Sequence, residues 1–139
     1  MPAELSTTPR ILVAEDERVM SDVIRFNLQR AGYEVTVARN GLDAWDQLQS
    51  REFDLILSDY QMPGLTGVEL CRRIRTAYTG WDVPFILLSA RGLELNASCL
   101  HDELKILTVL FKPFSPRELL QMVANALSSS IPLVPEVTR

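Results

Sequence analysis

The sequence predicts a single α/β domain: a parallel β-sheet covered by helices on both sides. Three observations carry that prediction. Short apolar runs alternate five times with longer segments of helical periodicity. The runs are largely apolar, interrupted by Thr36, Asp54 and Thr108, as suits strands buried on both faces. Glycine, proline and capping residues mark several of the helix boundaries. Strands alternating with helices imply right-handed βαβ crossovers, which place helices on both faces of the sheet.

The first apolar run, Ile11 to Ala14, precedes a segment in which Val19, Val23, Phe26 and Arg30 keep helical spacing, with Ile24, Leu28 and Ala31 widening the apolar face. Gly32 ends that helix, as a glycine just past a C-terminus does. Val35 to Ala38 is the second strand, and Leu42, Trp45 and Leu48 mark a short second helix. Phe53 to Leu57 is the third strand. In the third helix Val68, Cys71 and Arg75, with Leu70 and Ile74, follow the capping-box pair Thr66 and Glu69. Phe85 to Leu88 is the fourth strand, and residues 92–104, whose helical pattern is broken, are read as a fourth helix. Leu107 to Phe111 is the fifth strand. Ser115-Pro116-Arg117-Glu118 then combines an N-cap, a first-turn proline and a capping-box acid ahead of Leu119, Val123, Ala126 and Leu127.

Beyond Ser128, Pro132 and Pro135 exclude continued helix. The expected organisation is an N-terminal extension over 1–8, a domain over 9–128 and a flexible tail over 129–139. The apolar stretch Ile131 to Val134 in that tail is open to docking on the domain or on a partner.

Composition removes several function classes. The chain has 139 residues, 47% hydrophobic and 23% charged, and a domain of this length buries roughly two-thirds of its unfolded surface without disulfides or a structural metal. A formal charge of −4 opposes direct nucleic-acid binding. No apolar stretch approaches the roughly 20 residues that span a bilayer, and Met1 to Thr8 lacks a secretory pattern, so the expected location is the cytoplasm. Cys71 and Cys99 form no CxxC and have one histidine, His101, near them in sequence, which fits neither a zinc site nor a disulfide framework. They read as ordinary thiols, His101 as a surface residue, and Trp45 and Trp81 as packing residues. There is no GxGxxG and no GxxxxGK[ST], which excludes dinucleotide and P-loop chemistry.

The chemistry gathers at the strand ends. Glu15 and Asp16 follow the first strand, Asp59 the third, Ser89 the fourth and Lys112 the fifth. Ligands of open parallel sheets bind outside the carboxyl ends of the strands, where strand order reverses. The second strand offers no comparable group, as expected for an edge strand in the order 2-1-3-4-5. Three clustered carboxylates either raise a pKa or recruit a cation. An all-oxygen set with few fixed ligands suits magnesium, which favours phosphate as a further ligand. Lys112 and Ser89 can hold phosphoryl oxygens, and Asp59 is a candidate nucleophile, because carboxylates form acyl phosphates.

The strings Ile11-Leu12-Val13-Ala14-Glu15-Asp16, Asp59-Tyr60-Gln61-Met62-Pro63-Gly64 with Gly67 beyond, Ser89-Ala90 and Lys112-Pro113-Phe114 resemble the receiver domain of two-component response regulators, of the stand-alone, CheY-like kind. The resemblance covers roughly residues 9 to 128, and the intervals of 43, 30 and 23 residues between Asp16, Asp59, Ser89 and Lys112 agree with it. It implies a flavodoxin-like (βα)5 sandwich and a phosphoacceptor role for Asp59, with a histidine kinase or phosphotransfer protein as donor. Asp16, Asp59 and the backbone carbonyl of Gln61 would bind Mg2+ directly, and Glu15 through a water. Ser89 and Lys112 would contact the phosphoryl group, the Lys112-Pro113 bond would be cis, and Gln61 and Arg91 would tune phosphate lifetime. The implied output is a phosphorylation-dependent protein contact with an unidentified target, made by a monomer or weak homodimer rather than by an enzyme.

Two departures from the family pattern stand out. Val109 occupies the place of the family's usual aromatic, three residues before the lysine, with Phe111 on the same strand face. Residues 100–106 lack the usual small-residue turn before the fifth strand. Both motivate an alternative, a degenerate receiver that binds partners independently of phosphorylation. An aspartyl phosphatase would carry an acid two residues after its nucleophile, where this chain has Gln61. A flavin site would meet repulsion from Glu15 and Asp16.

Overall fold

A computed structural model describes residues 8–90 and 102–129. Five strands, β1 (Arg10–Ala14), β2 (Glu34–Ala38), β3 (Leu55–Asp59), β4 (Phe85–Ala90) and β5 (Ile106–Lys112), form one sheet in the order β2-β1-β3-β4-β5. All four pairings are parallel. Helices α1 (Arg18–Arg30), α2 (Gly41–Ser50) and α3 (Gly67–Ala77) and a C-terminal helix, Pro116–Ser129, pack on the two faces. The fold is the expected flavodoxin-like one.

Burial follows position in the sheet. β3 is buried along its whole length, and β1 and β4 are buried apart from Arg10 and Ala90. β2 and β5 are edge strands and only partly buried, which corrects the expectation of five strands buried on both faces. The alternating side chains build two cores. Leu12, Ile56, Phe85 and Leu87 face Leu70, Cys71 and Ile74 of α3 on one side. Ile11, Val13, Leu57 and Ile86 face Ile24 and Leu28 of α1 and Leu119 and Val123 of the C-terminal helix on the other.

The helix boundaries follow local chemistry. Gly32, at φ +101°, completes a Schellman motif in which its own N–H donates to Gln29 O and that of Tyr33 to Leu28 O. Thr66 and Glu69 close a reciprocal capping box on α3, at 2.9 and 3.1 Å, and Ser115 and Glu118 do the same on the C-terminal helix.

Three sequence expectations change. Phe53 precedes β3, which instead runs on to include Asp59. Leu42, expected to help mark the apolar face of α2, is 52% exposed. In α1, Ser21, Ile24 and Leu28 are buried, while Val19, Val23 and Phe26 are 70%, 45% and 58% exposed. At 3.6 residues per turn the two sets lie on nearly opposite sides of the helix, and the sheet accepts only one. Before β5, residues 102–104 are helical and Lys105 takes a left-handed φ of 57°. The Arg75 guanidinium holds this turn by donating to Leu104 O at 2.7 Å and Lys105 O at 3.2 Å. Most of the fourth helix expected over 92–104, with Arg91, Cys99 and His101, lies outside the described residues, as do residues 1–7 and 130–139. Among the described residues no helix is long and apolar enough to cross a membrane.

Candidate functional site

The strand order reverses between β1 and β3, and the polar residues meet there. Glu15 leaves β1 with its N–H donating to Ala38 O of β2 at 3.1 Å, and Asp16 follows it. Asp59 ends β3, and the next residue is tied down on both sides, because Tyr60 N–H donates to Leu88 O at 2.7 Å and Tyr60 O accepts from Gly67 N–H at 2.9 Å. A Cβ on Gly67 would strike the Asp59 carbonyl oxygen, so only glycine lets α3 start this close to the nucleophile candidate. Met62 and Leu65 are buried and hold the loop after Asp59 against the core. Gln61 itself is exposed.

One carboxylate oxygen from each of Glu15, Asp16 and Asp59 lies within 4.8 Å of the other two. Glu15 and Asp59 are buried and Asp16 is exposed. Lys112, the last residue of β5, reaches into this cluster: its Nζ is 3.0 Å from Glu15 Oε1 and 3.3 Å from Asp59 Oδ1. The second oxygen of Glu15 accepts the Glu17 N–H at 3.2 Å. Ser89 is 1% exposed and its hydroxyl donates only a long 3.4 Å bond to Ala90 O, which a stronger acceptor would displace. The Lys112-Pro113 bond is cis, as expected.

Burial dominates the electrostatics. It pushes the Glu15 carboxyl up from its ordinary value; the Lys112 hydrogen bond opposes this and the Asp59 charge adds to it. Asp59 is likewise pushed up by burial, against the pull of Lys112 and with the help of Asp16. Burial works to lower Lys112, but the hydrogen bond and charge of Glu15, joined by Asp59, outweigh it and hold the ammonium above its usual range. The site therefore concentrates negative charge that a single ammonium only partly offsets. Hard oxygen donors with excess negative charge fit a hard divalent cation.

The family model for the response regulator receiver domain matches residues 11–124. This chain belongs to the receiver-domain family. Its structure is similar to that of a putative response regulator from Chloroflexus aurantiacus J-10-fl, at 30% identity and a TM-score of 0.79, covering 88% of this chain and 99% of that one. It is also similar to the chemotaxis response regulator CheY4 of Vibrio cholerae, at 29% identity and 0.76 over 86% of this chain and 99% of the other. The signal receiver domain of a histidine kinase from Syntrophus aciditrophicus aligns at 27% and 0.77, over 95% and 98%. Receiver domains are signalling modules of two-component systems that interact with histidine kinases or phosphotransfer proteins. The cluster of Glu15, Asp16 and Asp59 fits the receiver Mg2+ site.

Of the residues expected at this receiver's site, Glu15, Asp16, Asp59 and Lys112 are brought together, Ser89 is buried on the neighbouring strand, and Arg91 lies outside the described residues. The departure at Val109 is a packing residue: it sits against the α3-side core, opposite Leu87. Phe111 is 37% exposed and pairs in register with Ser89. Sequence reasoning missed the rim. A cleft of about 610 Å³ beside Glu15 and Asp16 is lined by Arg18, Asp22, Arg25 and Arg39. The signal was available, because Arg18, Asp22 and Arg25 recur at i, i+4 and i+7 on one side of α1.

Proposed function

We propose that this receiver is a working phosphoacceptor, taking a phosphoryl group on Asp59 from the phosphohistidine of a histidine kinase or phosphotransfer protein. The observation that carries the reading is the buried Asp59 carboxylate, held between an ammonium and two further acids at the strand-order reversal. An Asp59 oxygen forms the new O–P bond as the P–N bond to the donor imidazole breaks and the leaving imidazole takes up a proton. Asp16, Asp59 and the backbone carbonyl of Gln61 would hold Mg2+, with Glu15 acting through a water. The ion would supply Lewis-acid stabilisation of the equatorial phosphoryl oxygens. Lys112 turns its ammonium from Glu15 toward the phosphoryl oxygens, and Ser89 gives its hydroxyl to them, which biases the domain toward a partner-binding form. Gln61, two residues after Asp59, and Arg91, two residues after Ser89 in the sequence, would tune phosphate lifetime. The unit that does this is residues 9–128, acting in the cytoplasm.

The exposed stripe Val19, Val23 and Phe26 begins three residues past Asp16 and supports docking of a helical donor there. Asp59→Asn abolishes labelling by acetyl phosphate with Mg2+, read as the loss of one phosphoryl mass, with the fold intact; retained stoichiometric labelling ends the proposal. Val23→Asp with Phe26→Asp slows transfer from a protein donor at least about tenfold, as loss of an interface anchor does, and leaves acetyl phosphate labelling unchanged.

A further inference from the structure

β5 carries one residue more than its pairing with β4 uses. Phe85 pairs with Ile106 and Ile86 with Thr108, so the ladder skips Leu107, which is 40% exposed. The core gives the same count. Ile106 and Val109 both pack on the α3 side and Leu110 on the α1 side, although side chains three apart in a regular strand face opposite ways. Without Leu107 the alternation from Ile106 to Leu110 is regular. Leu107 is therefore a surplus residue, bulged out between two fixed points.

The downstream point is Lys112, tied to Glu15 and Asp59. The upstream point is the turn before the strand. Leu104 O accepts from Arg75 Nε at 2.7 Å and from Cys71 Sγ at 3.6 Å, and Lys105 O accepts from Arg75 Nη2 at 3.2 Å. Lys105 is held there at a φ of 57°, a left-handed conformation uncommon for a residue with a side chain. The apolar pattern does not fix the register by itself, because Ile106, Leu107, Val109, Leu110 and Phe111 supply apolar side chains to either phase.

We propose that Arg75 is a positioning residue of the phosphoacceptor site, acting through β5: its grip on the Leu104 and Lys105 carbonyls sets the register that delivers the Lys112 ammonium to Asp59. Released from that grip, Lys105 relaxes to extended backbone and lengthens the strand at its start. β5 then slides toward its carboxyl end and takes up the bulge. A slip of one residue is about 3.3 Å and turns every side chain to the other face. Lys112 is carried past Ala90, its present partner in β4, and away from both acids.

The inference rests on the phosphoacceptor reading, and the experiment separates the two. In the full chain, Arg75→Met is expected to slow labelling by acetyl phosphate with Mg2+ at least about tenfold. It should also replace the nuclear Overhauser contact between the Leu88 and Leu110 backbones with one between Leu88 and Val109. Deleting Leu107 removes the surplus, so the deletion alone labels at the wild-type rate and, combined with Arg75→Met, restores that rate. An arginine needed only for stability is not rescued by shortening the strand. Unchanged labelling in Arg75→Met overturns the proposal, and so does a combined variant as slow as Arg75→Met. Where Arg75→Met does not fold, the deletion variant decides: wild-type labelling supports the proposal and lost labelling overturns it. A wild type that takes no label ends the phosphoacceptor reading, and the Leu88 contacts of Arg75→Met still decide the register, with Leu110 retained as partner overturning it.

Discussion

Among the described residues, the Lys112–Glu15 and Lys105–Asp82 pairs have nearly equal lengths and opposite surroundings. Lys112 sits 3.0 Å from Glu15 with side-chain exposures of 20% and 1%; Lys105 sits 2.9 Å from Asp82 with exposures of 61% and 63%. In the exposed pair the hydrogen bond and charge of Lys105 hold the Asp82 carboxyl below its ordinary value. In the buried pair desolvation wins and Glu15 moves up. Distance alone does not distinguish a site from a surface contact. The energy of the charge without its partner does, and that energy is large only where water is excluded.

The largest expected effect of breaking this comparison comes from Lys112→Met, which leaves two buried carboxylates without their cation. Urea denaturation of the metal-free protein at neutral pH should show a loss of about 3 kcal/mol, the lower end for a broken buried pair because Lys112 keeps some exposure. Added Mg2+ should return part of it, since an ion that binds only the folded state stabilises by mass action.

pH sharpens the contrast next. Glu15 and Asp59, raised above ordinary values of 4.5 and 3.8, hold protons more firmly folded than unfolded. Their contribution therefore declines as pH rises from that range through their folded pKa values. Asp82 runs the other way: its contribution is present above 3.8 and is lost as pH falls through its lowered pKa. In chelator, the difference in urea midpoint between wild type and Glu15→Gln should widen in favour of the variant as pH rises above 4.5 and through the raised folded pKa. A pH-independent difference refutes the burial argument.

The smallest effect is expected for Lys105→Met, whose partner is exposed: a urea midpoint close to that of wild type, and no response to salt beyond that of wild type. Such experiments should not be read by tryptophan emission from the phosphoacceptor site. Trp45, Tyr78 and Trp81 form a series of ring contacts, tilted at 46° and edge-on at 84°, with centroids 5.8 and 5.7 Å apart, and Trp81 shares a pocket with Arg10 and Asp54 at the opposite end of the sheet.

Sequence periodicity and spacing were enough for the strand count, the two capping boxes, the Gly32 terminus and the set of Glu15, Asp16, Asp59, Ser89 and Lys112. These depend on local rules: alternation, caps, and the fact that a parallel sheet sends every strand's carboxyl end the same way. Which face of α1 is buried was not legible. Val19, Val23 and Phe26 are as apolar as Ile24 and Leu28, and only docking on the sheet decides between opposite sides of one helix. Nor could the sequence show that Lys112 would be shielded from water while Lys105 stays in it. The tertiary structure decided that, by closing β1, β3 and β5 around one ammonium and leaving the other in water, because the strength of a charge pair is set by the solvent the fold removes.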